Sequence, residues 1–443
     1  MRVSGDAGNR DGIRVGVVGV GYVGLTTAVC LAERGIDTVA ADLDLAKLDR
    51  LNDGFATIDE PGLQEALRDG LDHGTLRFTA DDADLADRDV VFVCVPTPSA
   101  ADGAADLGAV DSVVDRMASV LCPRAVVALK STVPVGTTRS ASNRLQHKGI
   151  HVVSTPEFLR EGRAVEDFRH PDRLVIGASA EEAADAVCRA YGPQSGPILR
   201  MSPESAELAK YASNAFLAIK LSYANSLAEL SASTGADVTD VTRCMGADQR
   251  IGPAFLKPGP GWGGSCLPKD TAALIHTARE NGVALAEVEA SRSTNRAQAP
   301  RVAQMLTRTI HRPLGSMRIT ALGLTFKADT SDTRDSPALA VCTHLTAGGA
   351  QIQGYDPQLT AIDPDVLVSA GVTAVDDPYR ASKAADAIVV LTEWREFVDL
   401  DWSAIALESP GAVVLDTRNL LDASAIEGVG LRYVGNGRSV RPE

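Results

Sequence analysis

The chain predicts an α/β fold: two parallel-sheet regions joined by one long central helix. Three observations carry that expectation. Short β-branched runs alternate with helical stretches from Arg14 to about Gly177; a helical periodicity then runs from Ser202 to Gly235; and a second strand–helix alternation begins at Arg318. Near-continuous apolar strands separated by helices belong to parallel sheets covered on both faces. A length of 443 residues leaves room for two or three domains with sizeable cores. The expected boundaries are 1–201, 202–312 and 313–443.

In the first region the expected strands are 15–20, 38–41, 90–95, 126–129, 151–154 and 174–176. Ser202-Pro203-Glu204 is a strong helix start, with a capping hydroxyl, proline in the first turn and then a carboxylate. Ala209, Ala212, Phe216, Ile219, Tyr223, Leu227 and Leu230 then recur every three or four residues until Gly235. That pattern predicts one helix of ~8 turns, far beyond the usual ~11 residues, of the kind that bridges domains or forms an oligomer interface. Further helical stretches are expected at 237–246, 268–281 and 284–310. The second region predicts strands at 318–322, 351–355, 387–391 and 413–416, with a helix at 337–347.

Hydrophobic residues make up 45% and charged residues 23%, as in soluble globular proteins. The net charge of −15 argues against nucleic acid or an anionic membrane as a partner, though local cations can still hold an anionic small molecule. Seven cysteines, at 30, 94, 122, 188, 244, 266 and 342, form no C-x-x-C pair. An odd, dispersed set reads as reduced thiols rather than a disulfide framework. The first dozen residues lack the apolar core of a signal peptide, and no apolar run approaches the ~20 residues needed to span a bilayer. The expected location is cytoplasmic.

Gly19-Val20-Gly21-Tyr22-Val23-Gly24 follows the first strand and opens a helix. Glycines there permit a tight turn, close backbone approach to a pyrophosphate, and tight helix–strand packing, with the helix N-terminus facing the phosphates. Asp42 stands at the end of the second strand, where a carboxylate accepts from ribose hydroxyls and repels a 2′-phosphate. The first region is therefore expected to be Rossmann-like, with NAD preferred over NADP. Lys47, one helical turn on, reads by itself as a solvated surface lysine.

The densest chemistry lies in Gly259-Pro-Gly-Trp-Gly-Gly-Ser-Cys266-Leu-Pro-Lys269-Asp270. Gly261, Gly263 and Gly264 let the backbone approach a ligand, and Pro268 starts a helix. A thiol at a helix N-terminus beside Lys269 favours its nucleophilic thiolate form. A buried structural thiol describes Cys30, Cys94 and Cys188 better than Cys266. Lys210 and Asn214 share a helical face off the apolar stripe, so they are either solvated, the better reading of the helix alone, or directed into a cleft. Thr155 to Glu161 follows the expected strand 151–154 and Lys130-Ser131-Thr132 the expected strand 126–129, so both face the crevice of the glycine turn. The seven histidines show no metal-ligand spacing, and neither a G-x-S-x-G elbow nor a Walker A loop is present.

These residues resemble the UDP-glucose/GDP-mannose dehydrogenase family along nearly the whole chain. G-x-G-Y-V-G stands at 19–24, V-P-T-P at 95–98, K-S-T-V-P-V-G at 130–136 and P-E-F-L-R-E-G at 156–162. A-E-L-x-K-Y-x-x-N-A follows at 206–215, G-G-S-C-x-P-K-D at 263–270 and G-L-x-F-K-x-x-T-x-D-x-R-x-S-P at 323–337. The resemblance implies Cys266 as the catalytic thiolate, with Lys210, Asn214 and Asp270 beside the reacting carbon and Glu161 and Thr132 handling a water. For NAD it implies Gly19, Gly21, Tyr22, Val23, Gly24, Asp42, Lys47, Thr97, Thr132 and Glu161, with Lys269 and Arg334 from beyond the first domain. For a UDP-sugar it implies Glu157, Phe158, Leu159, Arg160, Glu161, Lys210, Asn214, Arg250, Phe255, Leu256, Lys257, Pro258, Gly259, Gly263 and Lys327. It further implies a second α/β domain that holds the nucleotide and a homodimer built on the long helix.

The implied reaction is a four-electron oxidation of UDP-glucose to UDP-glucuronate through an aldehyde, a thiohemiacetal and a thioester. The loop 248–255, followed by P-G-x-G, is closer to the UDP-glucose branch of the family. GDP-mannose or a UDP-N-acetylhexosamine remains open as substrate, as does a dinucleotide-binding sensor or scaffold without catalysis. Thr155 stands where the family often has Asn, Trp262 where it has Tyr or Phe, and a polar tail of about a dozen residues precedes the first strand.

Overall fold

The structure, a computed structural model, describes residues 12–438. Most of the polar N-terminal stretch read above, residues 1–11, lies outside them. The chain divides into two compact units: residues through Ser213 with Ala272–Asn281, and Asn214–Thr271 with the residues from Gly282 onward.

The first unit contains β1 (Arg14–Val18), β2 (Asp37–Ala41), β3 (Leu76–Thr79), β4 (Val90–Val93), β5 (Val126–Leu129), β6 (His151–Ser154), β7 (Leu174–Gly177) and β8 (Ile198–Met201). They form one sheet in the order β3-β2-β1-β4-β5-β6-β7-β8. The second unit contains β9 (Arg318–Leu322), β10 (Gln351–Tyr355), β11 (Val372–Ala374), β12 (Ala387–Val390), β13 (Val413–Asp416) and β14 (Arg432–Gly435), in the order β11-β10-β9-β12-β13-β14. Both sheets thus place the first strand beside the second and fourth, the doubly wound order that opens a crevice at the strands' carboxyl ends. Each sheet has apolar clusters on both faces, as its near-continuous apolar strands require.

Two α/β sheets and one long helix, whose sequence runs from the first unit into the second, are therefore present as expected. Four strands were not foreseen: β3, β8, β11 and β14. The first sheet is also not wholly parallel, since β7 meets β6 antiparallel through Ser154 and Gly177. The helix between them, Ala164–Arg169, has six residues.

The long helix spans Pro203–Thr234 and begins where Ser202 Oγ accepts the Ser205 N–H at 3.2 Å. Its buried residues include Ala206, Ala215, Ala218, Ala224 and Ala228 together with Glu207, Lys210, Tyr211 and Asn214. Phe216, Tyr223 and Leu230, seven residues apart, are exposed. The stretch 284–310 is two helices, Ala286–Arg296 and Gln298–Ile310. Pro300 explains the break, since its ring would clash with the carbonyl four residues back. Among the described residues no helix is long and apolar enough to cross a membrane.

Candidate active site

In the first unit the glycine turn is built as its sequence demands. Gly19 has φ +90°, a left-handed conformation that favours glycine, and its N–H donates to the Ala41 carbonyl at 2.8 Å. A Cβ on Gly24 would lie 1.7 Å from the Gly19 carbonyl oxygen, so only glycine lets the helix Tyr22–Glu33 pack this close. Nothing stands within 4 Å of a Cβ on Gly21, which leaves that side of the turn open. Asp42 directly follows β2 and accepts from Val20 N–H at 2.8 Å and Asp44 N–H at 3.0 Å. Lys47 is not simply solvated: its ammonium lies 3.3 Å from Asp42. Burial disfavours the Asp42 charge, but the two backbone donors and Lys47 outweigh it and hold the carboxyl below its ordinary range. An open glycine cradle beside a fixed, ionised carboxylate fits the pyrophosphate and ribose of a dinucleotide.

The loops after β4, β5 and β6, with the start of the long helix, carry buried polar groups in the same unit. Thr97 Oγ1 donates to the Thr132 carbonyl at 2.9 Å, and both threonines are buried. Lys210 is 4% exposed and donates to Glu157 Oε1 at 3.1 Å. Burial opposes a charged Glu157, yet Lys210, the Leu159 N–H and Lys130 more than compensate, so the carboxyl stays below its usual value. Phe158 is covered by Arg173, whose guanidinium carbon is 3.8 Å from the ring centroid. Arg160 turns to Asp167, and Glu161 is half-buried.

In the second unit Cys266 immediately precedes the helix Leu267–Glu280, and its carbonyl accepts the Asp270 N–H at 2.9 Å. Its thiol lies 3.5 Å from Ser265 Oγ. Asp270, 1% exposed, receives Asn214 Nδ2 and Lys269 Nζ, each at 2.6 Å. Solvation, the better reading of Lys210 and Asn214 from the helix alone, is therefore wrong for both, because each faces a carboxylate supplied by a distant segment.

The glycine loop needs a second correction. A Cβ on Gly263 would lie 1.9 Å from the Asp335 carbonyl oxygen, and one on Gly264 would lie 2.7 Å from the Phe326 ring. These glycines let the loop fit against the protein's own 326–335 segment, which is reason enough for glycine without a ligand. Trp262 is buried, with its indole N–H on Ser222 Oγ at 2.8 Å, so it anchors the loop to the long helix. The remaining candidates are spread more widely. Arg250 and Arg334 each form a forked pair with a near neighbour, Asp248 and Asp332 respectively. Phe255 and Lys257 are exposed, Leu256, Pro258 and Gly259 buried, and Lys327 half-buried.

Sequence reasoning missed Glu60, Glu207 and Asn295. Glu207 caps the helix Thr137–Leu145 by accepting from the N–H groups of Gly136 at 2.6 Å and Thr138 at 2.7 Å. Asn295 brackets Trp262, accepting its N–H and donating to its carbonyl, both at 2.8 Å. Glu207 stands inside the A-E-L-x-K motif, which was its only signal.

Comparison with known proteins agrees with this architecture. Residues 13–194 match the NAD binding domain of the UDP-glucose/GDP-mannose dehydrogenase family, 204–297 its central domain and 320–423 its UDP binding domain. The chain is 39% identical to a UDP-glucose 6-dehydrogenase of Rhizobium meliloti, over 96% of this chain and 100% of that protein. It is 38% identical to one from Pseudomonas aeruginosa, over 96% and 98%. Among solved structures, a UDP-glucose dehydrogenase from Pyrobaculum islandicum superposes with a TM-score of 0.87 at 34% identity, covering 96% of this chain and 98% of that one.

Proposed function

Because the chain belongs to the UDP-glucose/GDP-mannose dehydrogenase family and is an NAD-dependent oxidoreductase, we propose that it oxidises UDP-glucose to UDP-glucuronate in two steps with Cys266 as covalent nucleophile. The observation that carries this reading is Cys266 at the start of the helix Leu267–Glu280, with Asn214 and Lys269 gathered on Asp270 in that helix's first turn.

NAD, when bound, supplies the hydride acceptor for each oxidation; Gly19, Gly21, Gly24 and Asp42 are the residues whose geometry suits holding it. The C6 alcohol loses a proton and a hydride to become an aldehyde. The Cys266 thiolate adds to that carbon, giving a thiohemiacetal whose oxyanion Lys210 and Asn214 stabilise, a role worth ~3 kcal/mol per donor in related chemistry. Loss of a second hydride leaves a thioester, which water hydrolyses to the carboxylate and the free thiol. Glu161 is proposed as the base for that water. A second reading gives this task to Glu157, favoured by its 3.1 Å contact with Lys210 and its persistence as a carboxylate. Comparing Glu161→Gln with Glu157→Gln decides between them, because only the variant lacking the base accumulates thioester detectable by intact mass.

The exposed Phe216, Tyr223 and Leu230 of the long helix support a homodimer, and a monomer at micromolar concentration by sedimentation would reject it. We also propose a cytoplasmic site of action and a three-domain organisation with boundaries at 1–201, 202–312 and 313–443.

The deciding experiment supplies NAD and a panel of sugar nucleotides while following NADH. UDP-glucose should exceed GDP-mannose and the UDP-N-acetylhexosamines, with two NADH per sugar and little free aldehyde. A single NADH per sugar would reject the covalent route.

A further inference from the structure

Glu60 belongs to none of the elements assigned above, yet it is 5% exposed and takes on three polar partners from two other segments of the first unit. Tyr22, the first residue of the helix opened by the glycine turn, donates its phenol O–H to Glu60 Oε2. The Gly162 N–H donates to the same oxygen at 2.9 Å, and also reaches the Tyr22 oxygen at 3.1 Å. The Ala164 N–H donates to Glu60 Oε1. Gly162 directly follows Glu161, and Ala164 opens the helix Ala164–Arg169. One carboxylate therefore ties the loop that carries Glu157 and Glu161 to the turn whose open side suits a pyrophosphate.

The chemistry of the knot fixes its direction. Burial, and then the hydrogen bond to Glu60 and its charge, push the Tyr22 phenol far up, so Tyr22 is a neutral donor. Two backbone N–H groups and one phenol, all donors, converge on an acceptor-only group. No other side chain of this size meets all three, because a carboxamide turns one end from acceptor into donor. Removing the carboxylate leaves the Ala164 N–H without its acceptor and the Gly162 N–H with only the Tyr22 oxygen, and an unmade buried bond costs more than a made one contributes.

We propose that Glu60 is a positioning residue for the dehydrogenase reaction: through Tyr22 it makes the seating of the cofactor and the order of the Gly162 loop one event. A cofactor pressing on the helix that Tyr22 opens firms the phenol–Glu60–amide knot, and with it the segment bearing Glu161. This rests on the function proposed above, so its test must speak even if the substrate assignment fails.

The test follows amide hydrogen exchange of peptides covering 158–165 and 20–26, with and without NAD, in the native protein, Glu60→Gln and Tyr22→Phe. In the native protein NAD should slow exchange in both segments. In Tyr22→Phe, which keeps the carboxylate and its two amides, NAD should still protect 20–26 while its effect on 158–165 shrinks severalfold. Glu60→Gln should show the same uncoupling with faster basal exchange at 158–165. In turnover, both variants should lose roughly tenfold in kcat, the scale of one lost charge-assisted bond, with a smaller rise in KM for the sugar nucleotide. If NAD protects 158–165 equally in all three proteins, Glu60 is merely structural and the proposal falls. Exchange coupling without oxidation of any sugar nucleotide would retain Glu60 and reject the proposed function.

Discussion

The two sheets repeat one corner and put it to opposite uses. In the first, Gly19 follows β1 with φ +90° and donates to the last residue of β2; in the second, Gly323 follows β9 with φ +92° and donates to the last residue of β10, each bond 2.8 Å long. The residue after each glycine, Val20 or Leu324, donates its N–H to an aspartate just past the second strand, Asp42 or Asp356. Even the next turn repeats, since Asp44 and Gln358 donate to the same two aspartates. The two corners diverge at the following position. Gly21 leaves the first open, whereas Thr325 fills the second and donates its N–H and hydroxyl to Asp356, joined by the Trp394 indole at 3.3 Å. Asp42 keeps an outward side paired with Lys47, while Asp356 is 1% exposed and wholly engaged by the protein. The same backbone therefore serves as a ligand cradle when the third position is glycine, and as a strut when it is threonine. In the second unit the proposed chemistry falls not on the corner's own residues but on Cys266, in the loop whose Gly264 packs against Phe326.

Removing the nucleophile tests that last separation most severely. Cys266→Ala should lower steady turnover by about three orders of magnitude or more, as when other covalent nucleophiles are lost, with NAD binding and thermal stability unchanged. Retained turnover at two NADH per sugar would move the chemistry elsewhere. Asp356→Ala should do the reverse and act on stability. It strands several buried donors and should cost ~3 kcal/mol or more in urea unfolding, against ~1 kcal/mol for Asp42→Ala. Equal losses at the two positions would erase the distinction between strut and cradle.

Asp42→Ala should instead show in cofactor choice, narrowing the preference for NAD over NADP by about tenfold, or ~1.4 kcal/mol. The smallest effect concerns acid. The Asp42 carboxyl is held below its ordinary value of 3.8, so its stabilisation is complete above that pH and lost as pH falls through the lower folded value. Asp416, at the end of β13, is pushed the other way by burial, so its contribution weakens as pH rises from 3.8 through its raised value. Unfolding curves of native protein against Asp42→Asn and Asp416→Asn, between about pH 3 and 6, should diverge with opposite slopes.

What the sequence disclosed divides along physical lines. Local signals were legible: Ser202-Pro203-Glu204 starts the long helix, the glycine turn opens its crevice, and Cys266 sits at a helix start. The edge strands β3, β8, β11 and β14 were not, because three or four residues, partly or mostly exposed at a sheet's edge, carry little periodicity. The break near Ala297 had a signal in Pro300 that the apolar repeat obscured. Partners far apart in the chain left no trace. Lys210 meets Glu157 across 53 positions, Asn214 meets Asp270 across 56 and Gly162 meets Glu60 across 102. Periodicity sees one helix face at a time and is blind to what a distant loop brings to it.

Trp262, described above as an anchor, has a spectroscopic consequence. The chain's three tryptophans, at 262, 394 and 402, all fall in the second unit, and each is buried with its indole N–H engaged, by Ser222, Asp356 and the Phe397 carbonyl. Excitation at the red edge therefore illuminates one half of the protein alone. Buried indoles should emit to the blue in the native state, so that emission should register the folding of the second sheet and the cysteine loop, while the glycine cradle melts or re-forms in the dark.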